Sequence, residues 1–314
     1  MSIRYDAERR EHVMRKPRYT RFQRALFLLV CGISLTSAIL FDARYLSTPT
    51  RQPSSSTKYV SPHSSRRIAC FVLRTNSEED ALRSDVVTKA WQGTPCHWLE
   101  FIDQNTVGII ADWQEGYDFL AQKSFRAWEL MFSKYSKLQV DFIMKLDLDT
   151  YIIADNLDKY IERFDPDEPH YIGRQLVDTG KEFVAGAAII LSRATLHHFM
   201  NATRRPSSAC SRHRFASIGA EDLALGICLK ELGIYPHNTR DVLGRERFMI
   251  FNPSEMKHRP KHSKDDWYQE FAFNSEYGLG CCSSEAITFH RVGIQDMSKR
   301  IRYTSRGQWQ FQTF

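Results

Sequence analysis

Segments with strand periodicity and segments with helix periodicity alternate along the chain from Ile68 onward. Short apolar runs are typical of buried strands, and longer runs with apolar residues three and four positions apart are typical of helices. Asp155 is a predicted N-cap. The predicted strands are residues 68–73, 97–102, 141–148 and 186–191, and the predicted helices are residues 79–91, 119–138, 156–163, 193–200 and 223–232. This order predicts an α/β fold with a mainly parallel sheet flanked by helices, which binds ligands at the carboxyl ends of its strands.

The N-terminal region has the pattern of a membrane signal anchor. Ala25 to Phe41 is an uncharged run, at the short end of the range for a membrane-spanning helix. Residues 1–24 carry eight Lys/Arg and three acidic residues, so they form a cytosolic tail and the rest of the chain is lumenal. Residues 42–66 are rich in Ser, Thr and Pro and are predicted to form an extended stem. A cleaved signal peptide and a buried core helix are the competing interpretations of the apolar run.

Charge and composition restrict what the lumenal part, residues 67–314, can be. The formal net charge is +6, and the first 24 residues contribute +5 of it, so the remainder is nearly neutral. This balance does not favour binding to nucleic acid. A hydrophobic content of 42% supports one large core, consistent with a single catalytic domain. The sequence contains no G-x-G-x-x-G loop, which argues against a dinucleotide oxidoreductase.

Two carboxylates, Asp147 and Asp149, close the apolar run that starts at Val140. Side chains alternate along a strand, so both would point to one face and share a divalent cation, with Leu148 packed behind them. This arrangement suits an enzyme that holds the diphosphate of a nucleotide sugar. Acidic residues after a strand are as commonly solvated turn residues or helix caps, and the tripeptide alone does not distinguish these alternatives.

Four further residues have the chemistry of a transferase site. Glu221 and Asp222 open a predicted helix. Carboxylates there either cap the helix and favour its positive end or act as a general base, and the two roles are compatible. His290 ends the apolar run 286–289, where a histidine is more often structural than a metal ligand. If it is a ligand, one imidazole with two carboxylates favours Mn²⁺ over Ca²⁺. Trp267 lies in a loop rich in charges and either covers a core edge or stacks on a sugar.

Six cysteines lie beyond the apolar segment, an even number that suits disulfides in an oxidising lumen. Their spacing alone allows 15 pairings. Cys281 and Cys282 are either free thiols, ends of separate bridges, or a vicinal pair.

Several of these motifs occur together in one order. They include K-L-D-L-D-T-Y (145–151), G-A-E-D-L-A-L-G-I-C-L (219–229), T-R-D-V-L-G-R-E-R-F (239–248) and G-L-G-C-C-S-S-E-A-I-T-F-H (278–290). Over about residues 67–300 the chain resembles the core 1 β1,3-galactosyltransferases, which are relatives of Fringe among the family-31 glycosyltransferases.

The resemblance implies a GT-A fold in a single-pass type II protein of the Golgi membrane. It also implies UDP-galactose as donor, Mn²⁺ as cofactor, and glycoproteins carrying O-linked GalNAc as acceptors; a homodimer is compatible with it. By position, Asp147, Asp149 and His290 would bind the metal, Asp222 would be the catalytic base, and Glu221 would orient it. The implied disulfides are Cys70–Cys96, Cys210–Cys228 and Cys281–Cys282. The implied donor contacts are Leu73, Glu115, Gly116, Tyr117, Asp147 and Arg291, and the implied acceptor contacts are Asp222 and Trp267.

The chain also departs from the family pattern. The family has three consecutive aspartates where this chain has Leu148 in the middle, an arginine where it has Tyr117, and a tyrosine where it has Arg291. It also has a Gly-Gly-Ala-Gly strand entry where this chain reads Ala-Gly-Ala-Ala (185–188). Three of these four positions lie near the nucleotide in the family. The alternatives are therefore a β1,3-glycosyltransferase with another donor or acceptor, and an inactive paralogue that binds or chaperones a relative.

Overall fold

The strands in the described part of the chain form one large sheet and two small ones. The computed structural model describes residues 66–91, 96–104, 119–258, 267–272, 278–305 and 307–312. Within them the strands are β1 (Ile68–Leu73), β2 (Cys96–Ile102), β3 (Phe142–Leu146), β4 (Tyr151–Ile152), β5 (Tyr171–Asp178), β6 (Lys181–Ser192), β7 (Phe248–Met249), β8 (Thr288–Phe289), β9 (Arg300–Tyr303) and β10 (Trp309–Gln312). The five-stranded sheet has the order β2-β1-β3-β6-β5, a smaller sheet has the order β4-β8-β7, and β9 pairs with β10.

Helices follow most of the strands, and several of them pack on the large sheet. They are α1 (Glu78–Ala90), α2 (Leu120–Tyr135), α3 (Ala154–Ile161), α4 (Arg193–Thr203), α5 (Arg212–Ala216), α6 (Glu221–Glu231), α7 (Pro253–His258), α8 (Trp267–Phe271) and α9 (Ile294–Met297). Single 3₁₀ turns cover Ser136–Leu138 and Gly278–Gly280. The predicted helices are confirmed with shifted ends; Asp155 lies in the first turn of α3, whose N-cap is Ile153.

The prediction of a mainly parallel sheet is wrong, because the large sheet is mixed. Strands β1, β2 and β3 pair in parallel, whereas β6 runs antiparallel to both β3 and β5. The cause is a hairpin that the sequence analysis missed. Thr179 and Gly180 join β5 to β6 with φ values of 46° and 79°, and positive φ at both central residues is the geometry of a type I′ hairpin turn.

One face of the large sheet packs against a helical layer built around α2. Phe125, Trp128 and Met131 recur on one side of α2 and are buried, as helix periodicity requires. Trp128 meets Phe71 of β1 edge to face, with 4.8 Å between the ring centroids. Helix α6 packs on β6 from the same layer, so the start of α6 lies close to the strands that carry the acidic motif.

The three disulfides that the family resemblance implied are all present. Cys70–Cys96 joins the neighbouring strands β1 and β2, and Cys210–Cys228 ties the segment before α5 to α6. Cys281–Cys282 is a vicinal pair with 3.7 Å between its Cα atoms.

The N-terminal predictions fall on residues that are not described. The tail, the apolar segment at residues 25–41 and most of the stem lie outside the described ranges. Within those ranges, no helix is both long enough and apolar enough to cross a bilayer.

Candidate functional site

The acidic motif lies in a turn directly after β3. The strand ends at Leu146, and the backbone N–H of Thr150 donates to the carbonyl of Asp147 at 3.0 Å. The buried hydroxyl of Thr150 donates to the carbonyl of Ala187 in β6 at 2.8 Å, which fixes the turn to the neighbouring strand. The prediction that strand alternation would align the two aspartates is therefore wrong. The turn brings Asp147 and Asp149 together, and Leu148 lies half-buried between them.

His290 approaches the acidic turn from the three-stranded sheet β4-β8-β7. It follows β8, and its N–H donates to the carbonyl of Met249 in the adjacent β7 at 3.0 Å. Two residues later, the N–H of Val292 donates to the carbonyl of Asp149 at 2.9 Å. The segment that carries the histidine and the turn that carries the aspartates are thus joined through their backbones.

The side chains of Asp147, Asp149 and His290 converge. Nε2 of His290 lies 2.8 Å from Oδ1 of Asp149 and 3.3 Å from Oδ2 of Asp147. One ligand atom from each residue can be chosen so that all three lie within 4.8 Å of one another. Burial alone would lower the pKa of His290, but the two carboxylates outweigh burial and raise it to about 9. Two carboxylate oxygens and one imidazole nitrogen form a donor set that suits Mn²⁺.

Lys145 is a central residue of the site that the sequence analysis did not identify as functional. Its side chain is only 1% exposed, and its ammonium lies 2.6 Å from Oδ1 of Asp147 and 2.5 Å from Oε1 of Glu221. It also donates to the carbonyl of Gly186 at 2.8 Å. A lysine within an otherwise apolar strand was the available signal, because a buried ammonium requires charged or polar partners.

Glu221 and Asp222 begin α6, as predicted, and face different partners. The buried Glu221 pairs with Lys145. The half-buried Asp222 accepts a bond from the N–H of Gly186 through Oδ2 at 3.2 Å, and another from the N–H of Leu223 through Oδ1 at 2.8 Å. Neither side chain caps the helix, whose N-cap is Ala220.

Gly186 lies where β6 passes these acidic residues. A Cβ atom at this position would be 3.1 Å from Oε1 of Glu221, 3.5 Å from Nζ of Lys145 and 3.7 Å from Oδ2 of Asp222. The absence of a side chain therefore lets the backbone of β6 approach the charged groups closely.

The charges around Lys145 support an ionised cluster. Burial would lower the pKa of Lys145, but Asp147 and Glu221 raise it above its ordinary value. Burial raises the pKa of Glu221, with further increases from Asp147 and Asp222, while Lys145 opposes this rise. We assign Glu221 as ionised because one of its oxygens lies 2.5 Å from the ammonium, a distance typical of a charge-assisted hydrogen bond.

The other predicted residues are placed as follows. Leu73 ends β1 one residue beyond the Val72–Leu146 pair, so it lies at the same sheet edge as Asp147. Arg291 has a φ of 58°, and its guanidinium carbon lies 4.9 Å from the ring centroid of Phe251. Trp267 is the first residue of α8. Glu115, Gly116 and Tyr117 lie outside the described residues.

Comparison with known proteins identifies the family. The sequence profile of the Fringe-like family matches residues 114–291, which is more than half of the chain. The chain belongs to the Fringe-like family. This confirms the resemblance to family-31 glycosyltransferases.

One similar relative is a protein of Xenopus laevis named glycoprotein-N-acetylgalactosamine 3-beta-galactosyltransferase 1. It is 29% identical over 241 residues, which cover 74% of this chain and 64% of the relative. The chain therefore aligns with less than two thirds of the relative's length.

Two solved glycosyltransferase structures show loose similarity. One, described as involved in glycosylation of the major capsid of PBCV-1, is 12% identical, with 74% of this chain and 97% of that chain covered and a TM-score of 0.38. The other, galactosyltransferase LgtC with donor and acceptor sugar analogs, is 9% identical, with 72% and 87% covered and a TM-score of 0.39.

Proposed function

We propose that this protein is an inverting glycosyltransferase that transfers galactose from UDP-galactose to the 3-hydroxyl of GalNAc linked to Ser or Thr of glycoproteins. The proposal includes a GT-A catalytic domain at residues 67–314, held at the Golgi membrane as a single-pass type II protein by residues 25–41. Support comes from the family match and from the similarity to a relative that carries this activity in its name.

One observation carries the proposal. A metal-type cluster of Asp147, Asp149 and His290 is joined through Lys145 to the acidic start of α6. A displacement reaction needs one group that stabilises the departing diphosphate and another that accepts a proton from the attacking hydroxyl. The cluster suits the first role, and the acidic start of α6 suits the second.

The residues divide the reaction between them. Mn²⁺ held by Asp147, Asp149 and His290 would supply positive charge to the diphosphate of the leaving UDP. Asp222 accepts the proton of the GalNAc 3-hydroxyl as that oxygen attacks the anomeric carbon. A new bond forms between this oxygen and the anomeric carbon, the bond to the β-phosphate oxygen breaks, and its electron pair leaves with UDP. Attack opposite the leaving group inverts the anomeric configuration.

The same geometry separates the roles of Asp222 and Glu221. Glu221 is 6% exposed and lies against the ammonium of Lys145, which opposes its use as a base. Asp222 is more exposed, and it accepts hydrogen bonds from the backbone N–H groups of Gly186 and Leu223. These contacts hold the carboxylate of Asp222 in place, which favours it as the group that meets the acceptor.

A panel of donors tests the proposal. Purified full-length protein is incubated with Mn²⁺, a GalNAc-bearing peptide and each of several UDP-sugars, and products are measured by mass spectrometry. We expect a mass increase of one hexose with UDP-galactose and none with Asp149→Asn. Transfer of another sugar alone would replace the donor assignment, and transfer from none of the donors would contradict the enzymatic function.

A further inference from the structure

The ammonium of Lys145 is enclosed on the helix-covered side of the large sheet. In the sheet register, Lys145 lies between Phe71 of β1 and Ile189 of β6, both of which belong to the buried apolar core. An ammonium in such surroundings is costly unless it is paired and hydrogen-bonded. Its placement therefore depends on the charged groups that converge on it.

The hydrogen-bonding capacity of Lys145 is fully used within the protein. An ammonium has three donors, and here three acceptors surround it: Asp147 on the acidic turn, Glu221 on α6 and Gly186 on β6. With 1% of the side chain exposed, no part of the ammonium is available to a substrate. Any effect of Lys145 on the reaction must act through these partners.

Asp147 divides its two oxygens between Lys145 and the candidate metal ligands. Oδ1 accepts from Lys145 at 2.6 Å, while Oδ2 faces Nε2 of His290 at 3.3 Å. A hydrogen bond to one oxygen restricts the rotation of the carboxylate, so the other oxygen is presented in a preferred direction. Partners of this kind commonly orient the ligands of metal sites.

We infer that Lys145 is a positioning residue that orients Asp147 toward the divalent cation and, through Glu221, fixes the start of α6 relative to it. This inference rests on the proposed function for the presence of a cation at Asp147, Asp149 and His290. Beyond the proposed function, we infer that one buried side chain fixes the position of the cation site relative to the proposed base.

A purely electrostatic role for Lys145 would have the opposite consequence. A positive charge next to a metal ligand repels a cation and competes for the carboxylate, so its removal would tighten metal binding. Positioning predicts that its removal weakens metal binding. The sign of the change separates the two roles.

The test is a titration of full-length protein with Mn²⁺, in which free Mn²⁺ is measured by electron paramagnetic resonance. Lys145→Met is compared with Lys230→Met, a matched control because Lys230 is exposed and donates to the carbonyl of Gly180, away from the site. The double variant Lys145→Met/Glu221→Gln removes both members of the buried pair, so it remains informative if the single variant fails to fold.

We expect the dissociation constant for Mn²⁺ to rise about 10- to 100-fold in both Lys145 variants and to stay unchanged in Lys230→Met. Unchanged or tighter binding in a folded Lys145 variant would overturn the inference. The titration involves no sugar transfer, so a wrong donor or acceptor leaves its outcome intact. Wild-type protein that binds no Mn²⁺ would overturn both this inference and the metal assignment in the proposed function.

Discussion

Lys145 and Glu221 form a buried ion pair with 2.5 Å between the ammonium and Oε1. The two residues are far apart in the sequence, and β3 and α6 bring them together. Lys145 of this pair also contacts Asp147 of the acidic turn, and Glu221 is followed directly by Asp222. The buried pair therefore links the acidic turn to the start of α6. Burial of two charges costs desolvation energy, and the cost is much larger when one of the two loses its partner.

Removing one member of this pair should destabilise the protein strongly. Lys145→Met leaves the carboxylate of Glu221 buried without its cation, which costs about 3–5 kcal/mol of unfolding free energy. Lys145→Met/Glu221→Gln removes both charges and should recover much of that loss. Urea denaturation of the two variants and of wild type measures the difference, and a double variant less stable than Lys145→Met would contradict the assignment of an ionised pair.

Gly186→Ala should reduce turnover while leaving the fold intact. The added Cβ would lie 3.1 Å from Oε1 of Glu221, so the side chain of Glu221, which adjoins the proposed base Asp222, must shift by a few tenths of an ångström. Small displacements of catalytic groups are costly, and we expect turnover to fall about tenfold. Gly293→Ala is the matched control, because no neighbouring atom lies within 4 Å of its added Cβ. Equal turnover in both variants would show that close approach at Gly186 is unimportant.

The sequence predicted the helices and strands that have a local hydrophobic periodicity. It did not predict the features that depend on contacts between distant residues. The strand at residues 68–73 is buried in its first five residues and was predicted with its observed ends. The β5–β6 hairpin was missed because neither Thr179 nor Gly180 lies in a strong turn dipeptide. The antiparallel place of β6 beside β3 is a tertiary arrangement that local periodicity does not encode.

The candidate site shows the same division. Asp147, Asp149 and His290 were selected by residue type and family resemblance, and the structure brings them together. Lys145 was not identified because the long side chain of a single lysine usually reaches solvent even from an apolar segment. Its significance comes from Glu221, which is distant in the sequence and is placed beside it by the packing of α6 on β6.

The stability of the fold should fall in mildly acidic solution because of a histidine pair away from the candidate site. Nδ1 of His170 lies 2.9 Å from Nε2 of His237. Burial lowers the pKa of both imidazoles below 6.5, and His170 lowers that of His237 further. The unfolded chain therefore binds more protons as the pH falls. This contribution to stability is fully present above pH 6.5 and is lost as the pH falls through the folded-state pKa values.

Substitution of one member isolates the pair. The unfolding free energy of His237→Gln should fall less steeply than that of wild type between about pH 7 and about pH 5. His198→Gln, which changes an exposed histidine, should follow the wild-type curve. Parallel curves for wild type and His237→Gln would exclude the pair as the source of the acid sensitivity.

Trp309, the first residue of β10, should stabilise the segment that leads to His290. The indole N–H of Trp309 donates to the carbonyl of Ser283 at 2.8 Å, and its ring lies 5.7 Å from that of Phe289, the residue before the histidine. Trp309→Phe keeps an aromatic ring and loses the hydrogen bond, so it should cost about 1 kcal/mol. Trp309→Ala also loses the ring contact and should cost more. Equal thermal stability of the two variants would contradict a packing role for the ring.

The central claim is that the cation site and Asp222 act in one galactosyl transfer, and single-turnover transfer from UDP-galactose tests it most directly. With saturating Mn²⁺ and a GalNAc-bearing peptide, Asp222→Asn should lower the rate constant by a factor of roughly 10²–10⁴. Asp149→Asn, which removes a proposed metal ligand, should show no detectable transfer. Glu221→Gln should retain more activity than Asp222→Asn. Near-normal transfer by Asp222→Asn, together with its abolition in Glu221→Gln, would contradict the account.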